Sequence, residues 1–386
     1  MRIAYFTDTY MPEINGVTNT LSRLGAYLDS KNVHHMVFAP VYNVGDAGNV
    51  SQHRRIVRYK GITTALSTES RLAFPAFWDV DNICDMFKPD IIHVTTELGI
   101  GFRGMRYALS RNVPLVMSYH TDYCKYLKYH NLEIFRPLLE KYLEWFYSFS
   151  DRTLAPSRHT MEELFRKGFC NLHLWSRGID TRCFNPAYRN MELRDTLGKD
   201  KFIFLYVGRL SREKNLDMLL QAAEEIQRRF PGQTSFVFTG DGPYYKTIQN
   251  FSPSNVLCTG FKQGRDLSEI YASADCFAFP SGTETFGNVV LEAMASGLPV
   301  SGVASGGVMD FLSHDRNALL CPVDDVQTFT NNLVSVMQDK SRRLRLAKNA
   351  RKDSLSMDWN CVFDGLINTY NAVLEENYRQ RYEQSA

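Results

Sequence analysis

Two glutamates, Glu284 and Glu292, stand eight residues apart in the stretch Phe279-Pro280-Ser281-Gly282-Thr283-Glu284-Thr285-Phe286-Gly287-Asn288-Val289-Val290-Leu291-Glu292-Ala293-Met294. A glycine turn precedes the first glutamate, and a helix beginning near Gly287 carries the second. In that geometry the backbone amides of Phe286, Gly287 and Asn288 are first-turn donors without partners in the helix. With the helix dipole they make a site for an anion or a hydroxyl. Glu284 in the loop and Glu292 about a turn inside the helix can face one ligand, and carboxylates suit sugar hydroxyls because each accepts several hydrogen bonds. The alternative is a helix whose first turn is acidic for the sake of its dipole alone.

A second stretch supports the ligand reading. Val207-Gly208-Arg209-Leu210-Ser211-Arg212-Glu213-Lys214-Asn215 follows an apolar run, so Arg209 and Lys214 stand at the carboxyl end of a strand. An arginine fork and a lysine point charge at that place suit a pyrophosphate. Thr239-Gly240-Asp241-Gly242-Pro243 and Thr259-Gly260-Phe261 are further glycine turns after strands. Several strand ends carrying glycine or charge are how a nucleotide site is built.

The elements that must position these residues alternate regularly. Ile3–Thr7, His35–Ala39, Ile91–Val94, Leu115–Tyr119 and Thr153–Ala155 read as buried strands. Val17–Ser30, Val80–Phe87, Phe102–Ser110, Ile134–Tyr147 and Ser157–Lys167 read as helices between and after them. A break near Asp180–Lys201, with Asn185-Pro186, interrupts the pattern, which then restarts. Phe202–Val207, Phe236–Thr239, Val256–Thr259, Cys276–Phe279 and Pro299–Ser301 are the strands of the second half. Leu216–Phe230, Leu267–Ala274 and Val289–Ser296 are its helices. Such alternation predicts α/β architecture: two doubly wound, Rossmann-like domains, with ligand beyond the carboxyl ends of the strands. The expected division is 1–183 and 184–363, with a closing helix, about 364–386, returning to the first domain.

Composition bounds the class. The 386 residues include 44 Lys+Arg and 42 Asp+Glu, a net charge of +2 that argues against a nucleic-acid binder. No apolar run approaches the roughly 18 residues of a membrane span. The N-terminus turns polar at Thr7-Asp8, too early for a signal-peptide core. Eight scattered cysteines without a C-x-x-C pair read as free thiols in a cytoplasmic protein.

Two motifs point elsewhere. Gly99-Ile100-Gly101-Phe102-Arg103-Gly104 matches a dinucleotide fingerprint, but four residues separate it from its strand where the fingerprint turns at once. Glycines easing a strand-to-helix turn are the preferred reading. Asp79-Val80-Asp81 resembles a metal-holding pair, yet it opens a helix, where aspartates favour the dipole. No histidine pair has metal-ligand spacing, and no metal is expected.

With these residues in view, G-R-L-x-x-E-K-N, G-D-G-P and E-T-F-G-N-x-x-L-E-A-M-A-S-G-L-P-V resemble the retaining nucleotide-sugar glycosyltransferases of family four, which have the GT-B fold, two Rossmann-like domains facing across a cleft. The resemblance runs from Asp8-Thr9-Tyr10-x-Pro12 to the closing helix. It implies that Arg209 and Lys214 hold the donor diphosphate and neutralise the leaving group, and that Glu292 binds the ribose hydroxyls. It implies that Glu284, with the amides of Phe286, Gly287 and Asn288, binds the transferred sugar. Gly16 would let the loop after the first strand close on the diphosphate, although Asn15 replaces a glycine that many members carry there. His120 matches a histidine that contacts the transferred sugar, while Asp8 and Asp122 are candidates for acceptor contact. The nucleotide-sugar is a substrate, so the resemblance calls for no cofactor.

The acceptor is less defined. Residues 123–147 mix Tyr123, Tyr126, Tyr129, Phe135, Trp145 and Phe146 with Lys125, Lys128 and Arg136, a composition suited to weak peripheral contact with an anionic membrane. An aromatic helix packed under its own domain is the alternative. Leu174-Trp175-Ser176-Arg177-Gly178-Ile179-Asp180 resembles the lipid-modifying branch of mannosyl- and sulfoquinovosyltransferases. Residues 1–185 hold 22 Lys+Arg and 18 Asp+Glu, a surplus of +4 that is small beside a polybasic patch. A lipid headgroup at the inner membrane surface and a small polar acceptor such as an aminocyclitol therefore both remain in view, as do UDP- and GDP-sugars as donors.

Overall fold

Apolar runs of four to seven residues become parallel strands here because helices cover both faces of each sheet. The first sheet is built from β1 (Arg2–Phe6), β2 (His34–Pro40) and β3 (Arg54–Tyr59). A small antiparallel pair, β4 (Ile62–Thr64) and β5 (Ser67–Leu72), follows. The sheet then resumes with β6 (Ile91–Val94), β7 (Leu115–Ser118), β8 (Arg152–Ala155) and β9 (Leu172–Leu174), in the order β3-β2-β1-β6-β7-β8-β9. The second sheet comprises β10 (Phe202–Val207), β11 (Thr234–Thr239), β12 (Val256–Gly260), β13 (Cys276–Phe279), β14 (Val300–Val303) and β15 (Ala318–Cys321), in the order β12-β11-β10-β13-β14-β15.

This computed structural model describes residues 1–13, 15–42, 54–64, 67–120, 133–251 and 255–385. The chain divides into two units, Met1–Ser176 with Asn360–Ala386, and Arg177–Trp359. The division falls slightly before the position expected from the Asn185-Pro186 break. Trp175 still packs on His93 of the first sheet, at 5.6 Å between rings, whereas Ile179 N already donates to Met357 O.

Strand alternation is plain in β10. Ile203, Leu205 and Val207 enter one core with Phe277, Phe279 and Phe286, while Phe204 and Tyr206 enter the other with Phe236 and Phe238. In the first unit a buried chain of polar groups crosses the sheet. Tyr5 Oη lies 3.1 Å from Tyr370 Oη, which lies 2.6 Å from His93 Nδ1, and His93 Nε2 lies 2.6 Å from Ser118 Oγ. This chain ties the closing helix, Trp359–Ser385, to β1, β6 and β7. Each group in it is buried with a partner, as buried polar groups require.

Candidate active site

In the second sheet the strand order reverses between β10 and β13, and open α/β sheets take ligands at the loops leaving such a switch point. The loop after β10 carries Arg209 and the turn Arg212–Lys214, and the loop after β13 carries Glu284. Lys214 Nζ donates to Glu284 Oε1 at 2.6 Å, with the two side chains 16% and 20% exposed. Thr283 Oγ1 donates to Glu213 O at 3.2 Å and Ser281 Oγ to Glu284 Oε1 at 3.4 Å, so the two loops are strapped together. A third loop supports them. Gly307 N donates to Glu284 O at 2.8 Å, and a Cβ on Gly307 would lie 2.0 Å from Thr285 O. Only a bare backbone fits there. Gly306-Gly307 belongs to none of the motifs read from the sequence, although two glycines after a strand are a visible sign of close approach.

The helix after Glu284 runs from Asn288 to Ala295, with Gly287 at its N-cap in the left-handed region at φ 93° and no side chain capping it. Its helical turn therefore starts between the expected Gly287 and Val289. Asn288 Oδ1 is buried with no hydrogen-bond partner among the described residues. Phe286, 4% exposed, packs on Phe311 with 5.2 Å between ring centroids. Glu292 is held from behind: Tyr271 Oη donates to Glu292 Oε2 at 2.9 Å and to Val289 O at 3.2 Å. Burial, and next the Glu292 charge, hold the Tyr271 phenol well above its ordinary pKa, so it remains a donor. In the sequence Tyr271 gives no functional signal, because a tyrosine on the apolar face of a helix reads as core, and it is that as well. Arg209 is half-buried beside Gly208, and its carbonyl accepts from Tyr206 Oη at 3.0 Å. The glycine turns after β10 and β11 stack directly: Leu210 N donates to Asp241 O at 2.8 Å, and a Cβ on Gly240 would lie 1.9 Å from Gly208 O.

The first sheet reverses between β1 and β6, and its switch-point loops carry Asp8 and Glu97. Asp8 Oδ1 accepts from Ile100 N at 2.8 Å and Oδ2 from Thr96 Oγ1 at 2.7 Å. One carboxylate oxygen is thus committed to the first turn of the helix Gly99–Arg111 and the other to the loop that leads into it. Burial pushes Asp8 up to about 6, against the pull of those donors. The glycines of Gly99-x-Gly-x-x-Gly serve packing: a Cβ on Gly101 would lie 1.7 Å from Thr96 O, and one on Gly104 would lie 2.4 Å from the Phe6 ring. Asp79, in the first turn of Phe77–Phe87, accepts from Tyr59 Oη at 2.8 Å.

Gly16 is the first residue of the helix Gly16–Ser30, and Asn15 caps it by accepting from Val17 N and Thr18 N, each at 3.0 Å. The asparagine in place of a glycine thus has a structural use. His120 lies just past β7, its ring edge-on to Trp175 at 5.7 Å. Asp122 and the aromatic residues Tyr123, Tyr126 and Tyr129, with Lys125 and Lys128, lie outside the described residues. In the helix Arg136–Tyr147, Phe146 and Tyr147 are buried, while Leu138 and Trp145 are exposed, as is Phe135 just before it. The aromatic segment is both core and surface. Among the described residues no helix is long and apolar enough to cross a membrane.

Residues 14–182 match the model of "Glycosyltransferase Family 4" and residues 191–353 that of "Glycosyl transferases group 1". A GDP-mannose-dependent alpha-mannosyltransferase of Mycobacterium tuberculosis is 32% identical over 97% of this chain and 97% of its own. An alpha-monoglucosyldiacylglycerol synthase of Streptococcus pneumoniae is 29% identical over 78% of this chain and 70% of its own. Among solved structures, a sucrose-phosphate synthase of Thermosynechococcus elongatus superimposes with a TM-score of 0.78, covering 97% of this chain and 99% of that one at 19% identity. That likeness bears on fold alone and agrees with the two parallel sheets. The chain therefore belongs to the family 4 glycosyltransferases, nucleotide-sugar-dependent enzymes of the GT-B fold.

Proposed function

We propose that this enzyme moves a hexosyl or N-acetylhexosaminyl unit, with retention, from a UDP- or GDP-sugar to a hydroxyl of a glycolipid or lipid headgroup. The observation that carries the donor half is the strapped pair of loops at the β10/β13 switch point, which brings Lys214 to 2.6 Å from Glu284 beside a helix start without a side-chain cap. In this reading Arg209 and Lys214 take the diphosphate, and the amides at Gly287 and Asn288 add donors to it or to the sugar. Glu284 and the amide of Phe286 bind sugar hydroxyls, and His120 contacts the sugar from its strand end. Glu292, aimed by Tyr271, takes the ribose. Gly16 lets the backbone approach the diphosphate.

The bond from C1 of the sugar to the phosphate oxygen breaks as the cations stabilise the leaving charge. The acceptor oxygen bonds to C1 on the same face, and its proton passes to the departing phosphate oxygen. Side chains alone neutralise the charge, so the reading needs no metal. Asp8, with both oxygens bound to its own chain, acts on an acceptor only through the loop it fixes; Asp122 keeps its assignment to the acceptor.

The lipid half rests on the exposed Ile134, Phe135, Leu138 and Trp145 and on the diacylglycerol-named relative, and it places the enzyme in weak peripheral contact with the inner membrane surface. A specific observation favours the second reading, a small polar acceptor. Arg136 and Lys141 in that helix are balanced by Glu140 and Glu144, which gives no attraction to anionic lipid.

A metal-free thermal-shift and donor-hydrolysis screen against UDP- and GDP-sugars tests the donor half. A ligand at 100 times its Kd adds about 2.7 kcal/mol of stability. Loss of that response in Glu284→Ala and Lys214→Ala is the expected result; an unchanged response overturns the site. Transfer to diacylglycerol-based micelles against transfer to soluble polyols then separates the two acceptor readings.

A further inference from the structure

The pairing of Lys214 with Glu284 has a cost for any diphosphate that enters. Lys214 supplies the positive charge assigned to the phosphates, yet Glu284 stands 2.6 Å from it and cancels much of that charge. Neither side chain can drift away easily. Thr283 is tied to the carbonyl of Glu213, Gly307 holds the carbonyl of Glu284, and Ser281 Oγ shares Oε1. The pair is four-fifths shielded from water, so its field is only partly screened. Oε2 of Glu284 accepts no bond among the described residues, which leaves one oxygen for hydroxyls of an incoming sugar.

We propose that Glu284 is a specificity-determining brake on the product: it makes the site bind an intact nucleotide-sugar in preference to the bare nucleoside diphosphate. The inference rests on the donor-site reading above and deepens it. With the intact donor present, sugar hydroxyls donate to Oε2 and draw the carboxylate charge away from the phosphates. After transfer the sugar is gone, and the leaving diphosphate has gained a further negative oxygen at the broken bond. The same carboxylate then faces that oxygen with nothing between them but the shared lysine. Like-charge juxtaposition of this kind drives the product out. Nothing in the chain has to move for this discrimination; the sugar itself is the switch.

Glu284→Gln tests it, because the amide keeps the shape and a hydrogen-bonding oxygen while removing the charge. Binding of bare UDP and GDP and of UDP-glucose and GDP-mannose is measured by titration calorimetry on the full chain, for wild type, Glu284→Gln and Lys214→Gln. The expected result is that Glu284→Gln binds the preferred bare diphosphate about tenfold more tightly, the scale of one partly shielded charge, while its affinity for the matching nucleotide-sugar is unchanged or lower. A bare-diphosphate affinity that is unchanged or weaker in Glu284→Gln overturns the brake. Lys214→Gln keeps the two readings apart. If it leaves diphosphate binding at the wild-type level, or if neither diphosphate binds wild type, the donor-site reading itself is wrong. If it weakens binding while Glu284→Gln fails to tighten it, only the brake falls.

Discussion

Glu97 sits at the switch point of the first sheet, 3% exposed, with Tyr147 Oη donating to its Oε1 at 2.6 Å and Tyr142 Oη donating to its carbonyl at 2.5 Å. Burial is the largest influence on its carboxyl, the Tyr147 bond opposes it, and the Asp8 charge adds to it, leaving Glu97 pushed up to about 7 from 4.5. The folded protein therefore binds this proton more tightly than the unfolded chain between those two values. Stability from this group is fully present below pH 4.5 and is lost as pH rises through 7. The difference is worth about 3 kcal/mol, and Asp8, raised to about 6, adds a slope of the same sign at lower pH. Glu97→Gln keeps the acceptor for Tyr147 and removes the titration. Its new amide donors cost a constant amount wherever they lack partners, so the slope, not the absolute value, is the test. Urea unfolding at pH 5, 6, 7 and 8 followed by tryptophan fluorescence suits it, because Trp78, Trp145 and Trp175 belong to the first unit and only Trp359 to the second. Because part of the effect is already spent by pH 5, the wild-type curve should fall roughly 2–3 kcal/mol further than the variant's across that range. Parallel curves would mean that Glu97 ionises as it does in water, and the burial argument would fail.

Three further outcomes follow from the same geometry. Tyr271→Phe should raise the donor KM several-fold with little change in kcat, and should shrink the enzyme's preference for ribose over 2′-deoxyribose donors; an unchanged preference would show that the phenol does not aim Glu292. Gly307→Ala places a Cβ 2.0 Å from Thr285 O, so the Glu284 loop must shift; the variant should retain native circular dichroism and lose its thermal response to nucleotide-sugar. Phe146→Ala empties a fully buried position in the first unit and should cost about 3–5 kcal/mol in urea unfolding, with little effect on the affinity for bare diphosphate.

Much of the βα alternation was legible because buried parallel strands are continuous apolar runs, and β1, β6, β7, β10 and β13 are of that kind. The strand β3 was not, since Arg54, Arg55 and Arg58 interrupt it. Two of those charges find their partners only in the fold, Arg54 on Asp29 at 2.6 Å and Arg58 on Pro40 O at 2.8 Å. The helix Lys340–Ser354 likewise shows no clean apolar stripe. Arg343 turns back to donate to Val336 O and Met337 O at the end of the preceding helix, and Arg351 donates to Phe184 O. The residues proposed for the donor site are visible in the sequence as glycine and charge at strand ends. Their pairing is not: Lys214 and Glu284 lie seventy residues apart, and only the strand order that sets β10 beside β13 brings them together.

The two sheets share one winding, yet only the second leaves a helix start open at its switch point, and the reason is local chemistry. In the first unit the carboxylate of Asp8 fills the start of the helix Gly99–Arg111, supplying from the chain the negative charge that an anionic ligand would otherwise bring. The fingerprint-like glycines there are consumed in packing against Thr96 and Phe6. In the second unit Gly287 stands at the N-cap, with no side chain to accept from the first-turn amides, and the carboxylate of the preceding loop, Glu284, is paired with Lys214 instead. The first-turn amides and the helix dipole are thus left without a side-chain cap, the arrangement on which the proposed donor site rests. A glycine motif is thus a weak guide to phosphate binding by itself. What decides is whether the chain has already placed an anion at the helix start, which in the first unit is an aspartate 92 residues away in sequence.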